Sequence, residues 1–429
     1  MKNDITTDIL VCGAGPSGIA AAISAARLGA GVVLVEKYGF PGGMATAGLV
    51  NPFMVSKFEG RDLVRGIFEE VVSSLRQKNA ALDGELFGQP HIVFDPEVLK
   101  LLLLELLEKA SVKTIYHSFV CGSIMKGDEI KGVVASTKSG DVRLFAKAVI
   151  DATGDGDVAA LSGCAFELGR EKDHLCQPAT LNFRVSGVDE ARMPLREQMD
   201  ALYLEAKKKG STRSPRENLL WFETTQKGTL HFNSTRIPRI DGTDVFDLSK
   251  AEIEGRKQVE SLFEFLRSSV PGFGSSYISS VACQAGIRES RRIKGLYTLT
   301  AEDVTEGRKF EDAIARCNYP IDIHDPGSGS STVFKKLGPG IFYEIPYRCL
   351  VPQKIKRLVV AGRAVSSTHE ALSSLRTMPT CMAMGQAAGA ACALAVKKQI
   401  LPKDIDALEL IRALNEQGAG LRTGRDETR

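Results

Sequence analysis

Three glycines carry the first chemical signal in this chain. Gly13-Ala14-Gly15-Pro16-Ser17-Gly18 has the spacing Gly-x-Gly-x-x-Gly, and Glu36 stands 18 residues beyond Gly18. Gly13 permits a tight turn, Gly15 lets a pyrophosphate come against the backbone, and Gly18 lets a helix pack closely on a strand. The helix start offers free N–H donors and a partial positive charge to phosphate oxygens. Glu36 supplies a carboxylate for both hydroxyls of an adenosine ribose. The implied chemistry is dinucleotide binding, against the alternative of a purely structural glycine turn. These residues alone do not choose between NAD and FAD.

The flanking elements fit that chemistry. Asp8–Cys12 reads as a short apolar strand, Ser17–Leu28 as an alanine-rich helix closed by Gly29, and Val32–Val35 as a second strand ending at Glu36. A strand, helix, strand unit implies parallel strands with a right-handed crossover. Arg61–Arg76 carries one apolar helical face: Leu63, Val64, Ile67, Phe68, Val71, Val72 and Leu75. Asp95 caps a further helix with Pro96 at its first position, and Leu99–Leu107 is apolar on nearly every side. Short strands are predicted over 113–150, with turns at Lys126-Gly127-Asp128 and Ser139-Gly140-Asp141. Further on, 178–185, 219–225 and 229–234 read as strands. Ser249 and Glu252 form a capping box for a helix reaching Arg267, and Gly327–Thr332 reads as a flexible loop. Arg357–Ala361 is a buried strand, Thr380–Val396 a small-residue helix, and the tail after Gly418 is polar and frayed.

Four segments, in order, resemble a known pattern. Glu36-Lys37-Tyr38-Gly39-Phe40-Pro41-Gly42-Gly43-Met44-Ala45-Thr46 is similar to the second glycine signature of FAD-dependent oxidoreductases, and Asp151-Ala152-Thr153-Gly154-Asp155-Gly156-Asp157 to their Ala-Thr-Gly signature. Arg357-Leu358-Val359-Val360-Ala361-Gly362-Arg363 resembles the late strand that meets the ribityl and pyrophosphate. Arg376-Thr377-Met378-Pro379-Thr380-Cys381-Met382-Ala383-Met384-Gly385-Gln386-Ala387-Ala388-Gly389 resembles the final flavin-facing helix. Together they resemble the glutathione-reductase-like FAD superfamily, related to fumarate-reductase-type and heterodisulfide-reductase-subunit-type flavoproteins. More closely, the chain looks like the bacterial FAD-dependent oxidoreductase family, in which most substrates are unassigned. Gly286-Ile287-Arg288-Glu289-Ser290-Arg291-Arg292, Tyr319-Pro320-Ile321-Asp322-Ile323-His324 and Ile345-Pro346-Tyr347-Arg348 match that family's pattern, so the resemblance covers most of residues 5–398.

The resemblance implies an α/β fold. A Rossmann-like FAD-binding domain would be built from both chain ends, 1–165 and 341–402, with an inserted α+β substrate domain over 166–340 and a C-terminal helix and tail over 403–429. It implies a cofactor site at Gly13, Gly15, Pro16, Ser17, Gly18, Glu36, Lys37, Gly42, Gly43, Met44, Ala45, Thr46, Val120, Ala152, Thr153, Gly154, Gly362, Arg363, Pro379, Thr380, Cys381 and Met382. Residues 44–50 hold no His or Cys, so FAD is expected to be non-covalent. In the resembling folds the start of the last helix points at the pyrimidine edge of the flavin, where its dipole favours the reduced, anionic ring. Cys381 at that start is a candidate low-pKa thiol, with a structural role the stronger expectation. Cys12, inside the first strand, reads as a small core residue.

The expected activity is hydride exchange between a small molecule and flavin N5, with the protein supplying orientation, charge and a proton relay. Among six histidines, His369 follows Gly362-Arg363 closely and is expected near the flavin, and His324 lies in a substrate-domain motif. Arg288, Arg291 and Arg376 are candidate anchors for a substrate carboxylate, because guanidinium is always charged and binds bidentately; ordinary ion pairing is the alternative for each.

Composition sets the remaining bounds. Lys and Arg number 55 against 52 Asp and Glu, a net charge of +3, so nothing global calls for nucleic acid or an anionic membrane. Nine scattered cysteines without a Cys-x-x-Cys pair read as reduced thiols of a cytoplasmic protein, not as a disulfide framework, metal site or disulfide reductase. No secretory signal or membrane span is expected, and no second Gly-x-Gly-x-x-Gly marks a separate NAD(P)H domain. Two alternatives stay open: an FAD-containing electron-transfer subunit of a redox complex, and a flavin-dependent RNA-modifying enzyme. The substrate, the electron acceptor and the oligomeric state are not readable.

Overall fold

The computed structural model describes residues 4–422 of the 429-residue chain. Its frame is a seven-stranded sheet. Side by side run Lys113–Ile115, Val32–Val35, Ile5–Cys12, Gly140–Asp151, Glu129–Thr137 and Phe119–Lys126, with Leu358–Val360 also paired to the end of Gly140–Asp151. Pairings from Lys113–Ile115 through Gly140–Asp151 to Leu358–Val360 are parallel, and those to the two remaining strands are antiparallel. Parallel strands must be covered on both faces. One face carries helices Pro16–Arg27 and Met378–Lys398, whose axes approach closely because both are lined with small residues. A Cβ at Gly385 would lie 2.0 Å from the Ser17 carbonyl oxygen, and one at Gly389 2.1 Å from that of Ala21. Met378–Lys398 is long and apolar enough to cross a membrane, but it runs through the protein core, with 83% of its apolar window buried.

A second layer is an antiparallel sheet of Trp221–Glu223, Thr229–Phe232, Phe183–Ser186 and Tyr277–Val281. Its apolar face packs with helices Arg196–Lys208 and Val245–Ser269 into a core of its own, centred on Phe183, Phe232, Leu262, Leu266 and Phe273. The strands at 221–223 and 229–232 are joined across Gln226-Lys227-Gly228, as expected.

Several boundaries differ from the sequence reading, for local reasons. The helix expected from Ser249 begins one turn earlier, because Asp244 caps it through Phe246 N and Asp247 N, both at 2.9 Å. Ser249 is then interior and donates back to Val245 O at 2.8 Å, while Glu252 accepts from Ala285 N. The 61–76 helix starts at Ile67; Leu63 and Val64 are buried but lie in the loop before it. Leu101 breaks the expected all-round burial of its helix, at 68% exposed. A hairpin of Ala81–Leu86 and Gln89–Phe94 was not foreseen. Asp95 caps as predicted, accepting from Glu97 N at 2.8 Å and Val98 N at 3.2 Å. The 327–332 stretch is pinned: Arg236 donates to Gly329 O at 2.9 Å and Ser331 O at 3.3 Å, and Thr332 already opens a strand. Part of the tail expected to fray, 423–429, lies outside the described residues.

His231 gives the second layer a pH dependence. It is fully buried, neither ring nitrogen has a hydrogen-bond partner among the described residues, and burial together with nearby Arg184 pushes its pKa down to about 3. Below the ordinary value of 6.5 the unfolded chain takes up a proton that the folded chain refuses. Its contribution is therefore complete above that value and is lost as pH falls toward the folded pKa. His231→Phe should reduce the stability lost between pH 6.5 and 5.5 by about 1 kcal/mol, read from urea titrations at both pH values. An unchanged pH dependence would show that His231 is not the group responsible.

Candidate functional site

The strand Ile5–Cys12 ends in a turn whose glycines are demanded for different reasons. Gly13 has φ +99°, and a Cβ there would sit 2.5 Å from Ala152 O. A Cβ on Gly18 would sit 1.8 Å from Gly13 O and 3.1 Å from the Ala152 side chain, so the helix rests on the strand ends as expected. Gly15 is different: the nearest atom to a Cβ is Gly43 Cα at 4.0 Å, which leaves open space in front of it. Gly15 is also the cap residue of its helix, has no side-chain cap, and no acidic residue follows in the first turn. That is an anion seat built from backbone N–H groups. The loop around Gly42 and Gly43 lies against it. Gly42 N donates to Ala14 O at 2.8 Å, and a Cβ on Gly43 would meet Gly15 Cα at 2.7 Å.

Asp151, at the end of its strand, shapes the neighbouring turn. Its buried carboxylate accepts from Thr153 N at 3.1 Å, Thr153 Oγ1 at 2.7 Å and Ala159 N at 2.8 Å. Burial raises its pKa to about 6 against those hydrogen bonds. Glu36 is 5% exposed; Oε2 accepts from Ala14 N at 2.6 Å and Oε1 from Tyr38 N at 3.0 Å, and burial pushes its pKa up. Two bonds leave further lone pairs of the carboxylate free.

These groups line a cavity of about 670 Å³, within the usual range for a small-molecule or cofactor site. Of the expected cofactor residues, Gly13, Gly15, Pro16, Ser17, Glu36, Lys37, Gly43, Met44, Val120, Ala152, Thr153, Gly154, Gly362, Arg363 and Cys381 stand on its wall. Gly18, Gly42, Ala45, Thr46, Pro379, Thr380 and Met382 do not; they pack behind it, Thr46 through a 2.8 Å bond from Oγ1 to Pro41 O. The helix Met378–Lys398 begins at the wall, where Thr377 makes no side-chain cap, Pro379 lies in the first turn and no acid follows. Burial pushes the Cys381 thiol up to about 12 and that of Cys12 well above its ordinary value, so neither is a low-pKa thiol.

Another part of the wall is cationic. The candidates Arg288, Arg376 and His324 stand on it, and Arg216, Tyr319, Asp322 and Asn233 join them. Arg288 donates to Pro178 O at 2.7 Å and, weakly, to Asn233 Oδ1 at 3.5 Å. Arg376 lies 3.8 Å from Asp322 Oδ2 and donates to Asp322 O at 3.2 Å, and Tyr319 OH donates to Asp322 Oδ2 at 3.3 Å. His324 Nδ1 faces Arg236 Nη2 at 2.9 Å. A guanidinium only donates, so Nδ1 accepts and the ring proton belongs on Nε2. Burial and the surrounding arginines hold the His324 pKa well below its ordinary value, so the ring is neutral. The Tyr319-to-His324 stretch had been legible as a motif; Arg216 had no such signal.

Two expected site residues are placed elsewhere. His369 is 5% exposed and is not on the wall. Thr368 caps the short helix His369–Leu375, which turns the ring to Glu289, Nδ1 lying 2.8 Å from Oε2. Glu289 also pairs with Arg292 and accepts from Gln177 N at 3.0 Å; Gln177 Oε1 in turn accepts from Arg376 at 3.4 Å. His369 therefore braces the wall from behind. Arg291 belongs to the strand Arg291–Ile293 and lies over the Phe166 ring; it does not line the cavity itself but binds, at 2.8 Å, the Asp157 carboxylate that does.

A parallel sheet ending in a glycine turn, a buried ribose-type carboxylate and two uncapped helix starts around one cavity define a dinucleotide-binding α/β protein. The chain belongs to the FAD dependent oxidoreductase family, whose model matches residues 8–416, and FAD is its cofactor. Over 73 residues it is 37% identical to a thioredoxin reductase of Ureaplasma parvum, covering 17% of this chain and 23% of that one. Over 159 residues it is 28% identical to a thiamine thiazole synthase of Aeropyrum pernix, covering 36% and 57%. The matched stretches thus span less than two thirds of these relatives. Among solved structures, a geranylgeranyl bacteriochlorophyll reductase-like protein of Thermoplasma acidophilum superposes with a TM-score of 0.51 at 14% identity, over 97% of this chain and 84% of that one. That likeness extends to the fold alone.

Proposed function

We propose that this chain exchanges hydride between a small-molecule substrate and non-covalently bound FAD. The observation that carries the reading is the continuity of the cavity: the same wall bears the glycine turn with Glu36 and the group Arg288, Arg376, His324 and Tyr319. In this reading Gly13, Gly15 and the start of Pro16–Arg27 receive the pyrophosphate, and Glu36 receives the ribose hydroxyls. FAD supplies the position that accepts or donates hydride. The protein's own groups do the rest. Arg288 and Arg376 orient the substrate and offset negative charge. His324 keeps a proton at Nε2 and donates it as a hydrogen bond. Tyr319, whose pKa burial pushes well above its ordinary value, holds its proton against Asp322.

Anaerobic mixing of the FAD-loaded protein with a metabolite panel, read at the oxidised flavin band, tests this. Bleaching by one chemical class of small molecule is the expected result. Bleaching only by a reduced carrier protein, with every small molecule inert, would replace this reading with that of an electron-transfer subunit.

A further inference from the structure

Two guanidiniums on the cavity wall have no carboxylate of their own. Arg216 and Arg288 are 4% and 8% exposed and both line the cavity. Neither forms an ion pair with a described carboxylate. Their side-chain contacts are neutral groups: Asn218 Oδ1 at 2.8 Å for Arg216, Pro178 O and Asn233 Oδ1 for Arg288. Arg216 Nη1 is buried with no hydrogen-bond partner among the described residues, and so is Arg376 Nε.

The nearby acids are already engaged. Glu217 holds Arg236 at 2.5 Å and accepts from Thr332 Oγ1 at 2.6 Å. Asp322 serves Arg376 and Tyr319. Four guanidiniums, Arg216, Arg236, Arg288 and Arg376, thus surround His324 with two carboxylates among them, an excess of two positive charges. No positive charge on the histidine adds to it, because the same crowding keeps the ring neutral. Sealing unpaired guanidiniums away from water is costly, and an incoming oxyanion relieves that cost through charge-assisted, bidentate bonds. A neutral substrate would displace water and leave both groups bare.

We propose that the substrate is a dianionic oxyacid, a dicarboxylate or a phosphate monoester, seated on Arg216 and Arg288 with Arg376 beside them. The proposal rests on the oxidoreductase reading above and supplies its substrate class.

The test titrates the FAD-loaded full chain, at constant ionic strength, with succinate, glutarate, inorganic phosphate, butyrate and succinamide. The readouts are the flavin difference spectrum and the thermal midpoint. A saturable response to succinate or glutarate assigns the seat to two carboxylates, and one to phosphate alone assigns it to a single phosphoryl group. Butyrate should bind at least about tenfold more weakly than the best dianion, and succinamide should not register. Arg216→Gln and Arg288→Gln should keep full FAD occupancy and each weaken the dianion roughly tenfold or more. Succinamide matching succinate, or both variants titrating like the parent, would overturn the proposal, and the ligand series needs no variant to fold. A dianion response in a protein whose flavin no small molecule reduces would keep the anion seat and remove the oxidoreductase reading. Bleaching by a neutral molecule with no dianion response would do the reverse.

Discussion

Gly15→Val is expected to give a folded protein that has lost its flavin. A Cβ at this position meets no protein atom closer than 4.0 Å, so valine does not disturb the backbone around it. Its methyl groups instead fill the space before the uncapped start of Pro16–Arg27, where the N–H groups face the cavity. Loss of close approach to those donors should weaken FAD by roughly 100-fold or more, the equivalent of about 2.7 kcal/mol. Gel filtration at dilute concentration followed by acid precipitation measures it. Wild type should release FAD into the supernatant, because residues 44–50 offer no His or Cys for a covalent bond. Gly15→Val should release little, with its thermal melt close to wild type in the absence of flavin. Full occupancy in the variant would contradict the placement of the pyrophosphate.

Gly385→Val should fail in the opposite way, by losing the fold. A Cβ there falls 2.0 Å from Ser17 O and 2.6 Å from Ser17 C, both backbone atoms of the facing helix. Gly389 makes the same approach one turn on, 2.1 Å from Ala21 O. Neither neighbour can rotate away, so the two helices must separate inside a core of alanines with no exposed surface. The penalty should be at least about 3 kcal/mol, seen as a lowered urea midpoint or insoluble expression, with or without added FAD. A Gly385→Val protein that unfolds at the wild-type midpoint would show that the helices do not pack as described.

The contrast between these two glycines also explains what was readable from the sequence. Gly13, Gly15 and Gly18 act through local backbone geometry and Glu36 through a carboxylate at the end of the next strand, so their spacing announced the turn. Periodicity found the buried face of the 67–77 helix but overran its start, because Leu63 and Val64, buried in the loop before it, continue the pattern. Two acceptable caps stood five residues apart at Asp244 and Ser249, and the earlier one won. His369 misled because nearness along the chain to Arg363 does not fix direction; its ring is claimed by Glu289, 80 residues earlier. Arg216 lay in an irregular loop, Ser214-Pro215-Arg216-Glu217-Asn218, without motif or period. Only long-range packing brings it beside Arg288.

A crystal structure of the FAD-loaded protein is the measurement that bears most directly on this account. It should show the adenosine ribose on Glu36, the pyrophosphate on Gly13 to Ser17, and the isoalloxazine facing the wall that carries Arg288, Arg376, His324 and Tyr319. An isoalloxazine separated from those four side chains, or an adenosine ribose bound away from Glu36, would contradict it.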